Sequence, residues 1–219
     1  MPFLLQLDQF QFPDAHHADE NGLLAIGGDL HPHRILNAYR NGIFPWYSEL
    51  PIKWYAPDPR MVLPLSAFHA GQTLQKKIKK KIFEIRYNTD FRSVIEHCAE
   101  VRKSKTWITS DMIDAYCRLH EMGVAHSVET YLDNQLAGGI YGISVGSIFS
   151  GESMFYLVPE ASKVALYYLI QRLLDRGFFL LDCQVYTENM QRFGAFEIPR
   201  VEYLKILQNT LNLKNKPLF

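Results

Sequence analysis

Cysteine is scarce in this chain of 219 residues: Cys98, Cys117 and Cys183 stand at no paired spacing. Such usage excludes a disulfide framework and points to reduced thiols in a cytoplasmic setting. Net charge is also missing, since 23 basic residues balance 23 acidic ones. The whole molecule is therefore no electrostatic magnet, and any nucleic-acid binding must come from a local patch. No apolar run approaches membrane-spanning length, and the start, Met1–Asp8, lacks the basic stretch of a signal peptide. There is no internal repeat. Neither a Gly-x-x-x-x-Gly-Lys loop nor a Gly-x-Ser-x-Gly elbow occurs, which removes P-loop nucleotide hydrolysis and α/β-hydrolase chemistry. His16-His17 and His31-x-His33 have no cysteine or carboxylate company, so they read as surface residues and no metal site is expected.

What the chain does have is apolar material: 47% of its residues are hydrophobic, enough for a good core in one large domain or two unequal ones. The stretch Gly138–Val185 carries the plainest pattern. Two apolar runs, Gly138–Val145 and Ser147–Phe155, flank a tight turn at Val145-Gly146-Ser147 and read as a hairpin. Ala161–Arg176 follows as an amphipathic helix, with Leu166, Leu169, Ile170, Leu173 and Leu174 on one stripe and Gly177 at its stop. Phe178–Val185 is a third strand. Strand alternation places Asp182 and Gln184 on one face, and Ser150, Glu152 and Met154 on one face of the preceding strand. A carboxylate in so apolar a run either finds a structural partner or lines a wet cleft, and the pattern leaves both readings open.

Ahead of this unit, residues 1 to 30 read as irregular. A helix follows from Pro32 to Gly42, with Ile35, Leu36 and Tyr39 on its apolar face. Gly42–Ser48 and Trp54–Arg60 hold two Trp-Tyr pairs among prolines and read as a loop of aromatic plates, which either glue a small domain to a larger one or stack a base. The prolines place a domain boundary near Pro59, giving residues 1–59 and 60–219. Thr73–Lys81 is a short helix with Leu74 and Ile78 inward and Lys76, Lys77, Lys79, Lys80 and Lys81 crowding the rest, and Arg86 lies on the strand beyond. One sign of charge packed this closely in a neutral protein suits a phosphate backbone. Arg102, Lys103 and Lys105 add to it. Asp90 is expected to cap a helix that turns Val94, Ile95, Cys98 and Val101 inward. Further helices are expected over Ser110–Met122, with Met112, Ile113, Tyr116 and Leu119 buried, and over Glu202–Leu213, with Leu204, Leu207 and Leu211 buried; His126–Leu132 and Leu136 onward form a hairpin around Asp133–Gln135.

Helices, then an antiparallel meander, then strand–helix–strand make an α+β chain. The order over Gly138–Val185 looks like the core of the acyl-CoA N-acyltransferase (GNAT) fold. In acetyltransferases of that fold a Gly-rich loop opens the central helix and its amides hold the coenzyme pyrophosphate. Here that segment, Tyr156–Lys163, has no glycine and carries Pro159 and Glu160, so acyl transfer is expected without acyl-CoA. Gly22–Leu30, Gly42–Trp46, Trp54–Arg60, Thr106–Thr109, Gly151–Phe155, Ala161–Lys163 and Asp182–Gln184, in this order, resemble the leucyl/phenylalanyl-tRNA–protein transferase family from about Asn21 to Leu207.

The resemblance implies a small N-terminal domain, a GNAT-like C-terminal domain, and transfer of leucine or phenylalanine from aminoacyl-tRNA to the N-terminal α-amine of proteins starting with Arg or Lys, a degradation signal of the N-end rule. It implies Asp182 and Gln184 as catalytic residues, Glu152 as the acid facing the cationic acceptor, Trp46 and Trp107 beside the aminoacyl-adenosine, and Ile140, Leu169 and Leu173 around the aminoacyl side chain. Lys76, Lys77, Lys80 and Lys81 are then the tRNA-binding set. No cofactor, metal or membrane is implied, and the chain is expected to act as a monomer. The chemistry would be aminolysis, with Gln184 accepting a hydrogen bond from the amine and Asp182 polarising Gln184 or the amine. One departure stands out: where the family commonly has a His and then Ser-Leu-Gly-Ala, this chain has Asn189, with Arg192-Phe193 ahead of Gly194-Ala195, and acceptor choice is what that loop bears on. An acetyltransferase with an unusual coenzyme site and a non-catalytic tRNA-binding protein are the rival readings.

Overall fold

A computed structural model describes residues 1–101, 106–211, 213 and 218. The N-terminal part forms a four-stranded sheet from β1 (Phe3–Leu5), β2 (Leu23–Gly27), β3 (Phe44–Pro45) and β4 (Lys53–Tyr55), in the order β1-β2-β4-β3, with α1 (Pro32–Arg40) between β2 and β3. Two expectations change here. The first thirty residues are not all irregular, because β1 pairs in parallel with β2. The Trp-Tyr segments are not simply loop, because Phe44 and Pro45 pair with Tyr55 and Trp54. Strands of two or three residues are too short to show alternation, and Pro45 is tolerated because β3 is an edge strand. Trp54 is fully buried, with its indole Nε1 donating to the Gly27 carbonyl at 2.9 Å. It glues the small sheet together, whereas Trp46 is 41% exposed.

The second sheet has seven strands: β5 (Arg60–Pro64), β6 (Glu84–Tyr87), β7 (Ala125–Leu132), β8 (Gln135–Val145), β9 (Ile148–Tyr156), β10 (Leu180–Gln184) and β11 (Phe196–Ile198), in the order β11-β5-β10-β9-β8-β7-β6. Every pairing is antiparallel except β9 with β10, which are joined through α5 (Ala161–Asp175). This is the strand, strand, helix, strand order expected of a GNAT-like unit. Gly177, at φ +86°, ends α5 in a left-handed conformation that glycine adopts without strain, as its position after the helix required. The small sheet's last strand ends at Tyr55 and the large sheet begins at Arg60, so the chain passes from one to the other within residues 56–59.

Strand alternation divides the core in two. Met61, Leu63, Val128, Ile140, Phe149 and Leu181 turn to the face covered by α5 and by α2 (Gln72–Lys79). Val62, Tyr141, Ile143 and Leu180 turn to the other, which carries α1, α3 (Phe91–Glu100), α4 (Ser110–Glu121), α7 (Arg200–Thr210) and the small sheet. A one-turn helix, α6 (Glu188–Gln191), follows β10. Among the described residues no helix is long and apolar enough to cross a membrane.

Three local expectations are corrected by packing. Asp90 stands at the N-cap of α3, but its side chain makes no capping bond. The buried Glu129 of β7 holds the residue ahead of it, accepting from Thr89 Oγ1 at 3.0 Å and Thr89 N at 3.4 Å. The last helix starts at Arg200, right after Pro199, and buries Arg200, Tyr203, Leu207 and Thr210, leaving Leu204 only half-buried. Arg200 is held there by the Ala56 carbonyl at 2.6 Å and by the bond from its own backbone N–H to Asp58 Oδ1 at 2.9 Å. Ile113 is half-buried, and Ala115 takes its place in the core.

Leu169 and Leu173 of α5 are 1% and 0% exposed and belong to the core between α5 and the sheet. Leu169→Ala and Leu173→Ala are each expected to lower unfolding free energy by about 2–5 kcal/mol, since neither site opens to solvent. Urea unfolding of the two variants measures this, and a loss well under the lower bound would show that the space beside α5 collapses or is open.

Candidate active site

The site lies where β9 and β10 part. Their parallel pairing runs from Leu180–Ile148 to Asp182–Ser150 and stops. At that level each strand carries one extra residue. Tyr141 and Gly142 of β8 face Ser153 and Gly151, so Glu152 bulges from β9. Met61 and Val62 of β5 face Gln184 and Asp182, so Cys183 bulges from β10. Bulges bend a strand and re-aim its side chains. They also break the expected alternation: Ser150 and Glu152 reach toward the α1/α4/α7 side, while Met154 lies opposite Ile140 on the α5 side. Between the parted strands is a cavity of about 330 Å³, lined by residues that include Trp46, Trp107, Ile140, Glu152, Gln184 and Asn189.

Asp182 is fully buried and has five donors. Arg60 forks onto it, with Nε 2.8 Å from Oδ1 and Nη2 2.7 Å from Oδ2. Ser150 Oγ and Tyr203 OH each donate to Oδ2 at 3.0 Å. The fifth is the backbone N–H of Gln184, at 3.0 Å from Oδ1. Arg60 in turn donates to the Gly42 carbonyl at 3.0 Å and lies between the rings of Phe44 and Tyr203, 4.9 and 4.5 Å from their centroids. Gly42, at φ +72°, gives the turn that aims this carbonyl. Burial opposes charge on Arg60, and the Asp182 carboxylate outweighs it, so the guanidinium pKa rises.

Gln184 has φ +66°, and the N–H of Val185 bonds the carbonyl of Cys183 at 2.8 Å across it. Gln184 is therefore the apex of a positive-φ γ-turn, a strained backbone state that persists only when its surroundings enforce it. The Asp182 carboxylate on its amide is one such enforcement. The side chain is turned toward Glu152, with Nε2 2.8 Å from Oε1. Asp182 and Gln184 thus meet the same cluster through the bulge and the turn, not through simple alternation.

Glu152 is 8% exposed. Tyr39 of α1 donates to its Oε1 at 2.7 Å, and Tyr116 of α4 approaches its Oε2 at 3.2 Å. Burial pushes its carboxyl up to about 7, and the Asp182 charge adds to the rise while the bonds from Tyr39, Tyr116 and Gln184 oppose it. Burial raises both phenols well above the usual range. The Cys183 thiol on the cavity wall is pushed up by burial and by the Asp182 charge, so it is no ready nucleophile. Among the described residues no cluster of His, Cys, Asp or Glu is placed to hold a metal ion. At the N-terminus of α5 the Ala161 N–H already bonds the Val158 carbonyl, and Glu160 stands there with its carboxylate 2.6 Å from Lys163 Nζ. An acid at that position repels a coenzyme pyrophosphate.

The structure thus brings Asp182, Gln184, Glu152, Trp46, Trp107 and Ile140 to one cavity, with Asn189 of the divergent loop on its rim. It does not bring Leu169 or Leu173 there; Met154, Leu181, Val185 and Met190 are the apolar wall. A stripe at i and i+4 looks the same whether it covers core or pocket. Lys76, Lys80 and Lys81 are exposed and Lys77 half-buried, without ion pairs among the described residues and away from the cavity wall; Arg86 is paired with Glu84 at 2.7 Å. Arg102, Lys103 and Lys105 lie outside the described residues. Sequence reasoning missed Arg60, Ser150 and Tyr203 as partners of Asp182, and the hydroxyls of Tyr39 and Tyr116. The available signal was tyrosine instead of phenylalanine at core-facing helical positions, since a buried hydroxyl requires a partner.

The comparisons agree with one another. A family model described as leucyl/phenylalanyl-tRNA protein transferase matches residues 62–208, and one described as its N-terminal domain matches residues 28–58. The leucyl/phenylalanyl-tRNA–protein transferase of Myxococcus xanthus (strain DK1622) is 48% identical over 217 residues, covering 96% of this chain and 93% of that protein. Those of Saccharophagus degradans and Syntrophotalea carbinolica are 49% and 46% identical, over 96% and 95% of this chain and 90% and 93% of theirs.

A buried ion pair loses about 3–5 kcal/mol when one partner is removed, because the other is left charged and unpaired. Arg60→Met and Asp182→Asn should each lose stability in that range, and the double variant should lose distinctly less than their sum. Urea unfolding of the four proteins gives the coupling, and strictly additive losses would remove the pair from its anchoring role.

Proposed function

This chain belongs to the leucyl/phenylalanyl-tRNA protein transferase family, and from that premise we propose that it moves leucine or phenylalanine from aminoacyl-tRNA to the N-terminal α-amine of proteins beginning with Arg or Lys. The observation that carries this reading is the pairing of Glu152 with Gln184 in a cavity flanked by Trp46 and Trp107. The aromatic side suits the terminal adenosine of the tRNA, the apolar wall with Ile140 suits a leucyl or phenylalanyl side chain, and the acid suits a cation. A product tagged in this way is a degradation signal in the cytoplasm.

The donor ester is already activated, so the protein must position a neutral amine and stabilise the charge that develops on the ester oxygen. An α-amine has a reference pKa of about 7.7–8.0, so a useful fraction is neutral near pH 7. With its Nε2 committed to Glu152, Gln184 has its amide oxygen to accept a hydrogen bond from the amine and aim the nitrogen lone pair. Attack forms the C–N bond, the C–O bond to ribose breaks, and the proton lost by nitrogen ends on the ribose oxygen, for which the neighbouring ribose hydroxyl is a ready relay. Asp182 acts through Gln184: its five donors leave it no role at the amine, and it holds the strained turn. Lys76, Lys77, Lys80 and Lys81, on α2 and just beyond it, are the proposed phosphate contacts for tRNA.

Incubation with leucyl-tRNA or phenylalanyl-tRNA and a peptide starting with Arg should add one amino acid, read by mass. Glu152→Gln keeps the shape and removes the charge, so it should raise KM for Arg- and Lys-starting peptides and narrow their advantage over a Gln start by about ten- to hundredfold. Unchanged selectivity would move cation recognition to another acid, such as Glu188 beside the rim or Glu197 on β11. If Lys76, Lys77, Lys80 and Lys81 together neutralise about four duplex phosphates, replacing all four by Ala should reduce the slope of log affinity against log salt by roughly 3 to 4. An unaltered slope would take tRNA binding off this helix.

A further inference from the structure

Three oxygen-bearing groups close a triangle beside the acceptor site. Tyr39 OH lies 2.7 Å from Glu152 Oε1 and 2.8 Å from Tyr116 OH, and Tyr116 OH lies 3.2 Å from Glu152 Oε2. Three contacts require three protons. With Glu152 ionised, the two phenols supply only two, and one oxygen pair is left facing without a hydrogen between. A protonated Glu152 completes the circuit: Oε2–H donates to Tyr116, Tyr116 to Tyr39, and Tyr39 to Oε1, which also receives Gln184 Nε2. The three residues come from β9, α1 and α4, and both tyrosines are fully or nearly fully buried.

We propose that Tyr39, Tyr116 and Glu152 form a hydrogen-bonded ring that keeps a proton while the acceptor site is empty and gives it up when the cationic side chain of an acceptor arrives. Tyr39 and Tyr116 are then specificity-determining partners of Glu152, and this rests on the reading of Glu152 as the acid that meets the acceptor. The exchange balances: the carboxylic acid O–H breaks, its proton leaves to solvent buffer, and the guanidinium or ammonium takes its place beside the carboxylate. The buried site bears the same charge before and after. An acceptor with a neutral side chain cannot replace the proton, so the ring stays closed and the acceptor gains no ion pair.

The surroundings fit a group held neutral until a cation comes. Asp182 on β10 places a second carboxylate near Glu152 and disfavours its charge. Arg60 on β5 is forked onto Asp182, where Tyr203 of α7 is also bound, and its charge opposes that of Asp182. Tyr47, beyond β3, and Tyr141 on β8 add no opposite charge near Tyr116; Tyr141 meets it edge-on. The carboxyl of Glu152, raised to about 7 by burial, is then poised to exchange its proton in the neutral range. The sign follows. Below about pH 7 the empty site is protonated and cation binding releases a proton; above it the site is already ionised and none is released. Cation affinity therefore rises with pH up to about 7 and levels off.

The test uses a peptide whose first residue is desamino-arginine, which keeps the guanidinium and has no α-amine to titrate. Calorimetry in two buffers of different ionisation enthalpy counts protons. The wild-type protein should release close to one proton per peptide at pH 6 and close to none at pH 8.5, and Glu152→Gln should release none at either. Tyr39→Phe and Tyr116→Phe each open the ring, so the pH at which release ceases should shift away from the wild-type value, and a profile unchanged in both variants overturns the ring. In transfer assays, the pH dependence of the preference of Tyr39→Phe for Arg- over Gln-starting acceptors should shift with it, which a purely structural loss would not do. Binding without proton release at pH 6 overturns the ring. If the wild-type protein does not bind the peptide at all, the acceptor role of Glu152 falls first, and the ring with it.

Discussion

The buried Arg60–Asp182 pair is the interaction on which the rest of the site depends. Its reach explains why it is kept despite the desolvation of two charges. Arg60 opens β5 and touches the Gly42 carbonyl and Phe44 from the small N-terminal sheet. Asp182 gathers Ser150 from β9, Tyr203 from α7 and the Gln184 amide. One ion pair thus ties together the two sheets, the last long helix and the turn that carries the candidate catalytic amide. A buried pair is weak evidence for net stability, but removing half of it is severe. That asymmetry makes the arrangement specific, because any packing that separates these elements leaves a charge unpaired.

The second constraint is the parting of β9 and β10. A sheet with every ladder bond made would leave no space for two substrates between its strands. Here a bulge on each strand at the same level opens one, and the parallel pairing has already ended. The strain this creates is concentrated at Gln184, whose positive φ is held by the carboxylate two residues earlier. Strain enforced next to a cavity is a common mark of a working site. In this protein it aims an amide at an acid that the strand pattern alone would not have brought together with it.

Glu152 shows how the two parts of the chain cooperate. Its strand belongs to the large sheet, but one of its phenolic partners comes from α1 of the N-terminal part and the other from α4. The small sheet and its helix are therefore more than a platform for Trp46: they supply a buried hydroxyl to an acid in the main sheet.

Much of the architecture was legible along the chain. The hairpin at Gly146, the stripe of α5, the glycine that ends it and the strand after it follow from local periodicity and from the few residues that tolerate a left-handed turn, which are local physics. The candidate site residues Glu152, Asp182, Gln184, Trp46, Trp107 and Ile140 were named from motifs and share one cavity. Other features were decided only by tertiary structure. Strands of two or three residues near the N-terminus carry no periodic signal, and they form because neighbours complete their hydrogen bonds. Leu169 and Leu173 were assigned to the aminoacyl pocket, but an apolar stripe does not say which of two apolar surroundings it faces, and here it faces core. Asp90 stands at the N-cap of α3 without making the capping bond its residue type suggests. Arg60, Tyr203, Tyr39 and Tyr116 lie far from Asp182 and Glu152 in sequence, so nothing local marks them as partners. A buried charge demands company, and the sequence by itself shows the demand, while only the fold supplies the partner.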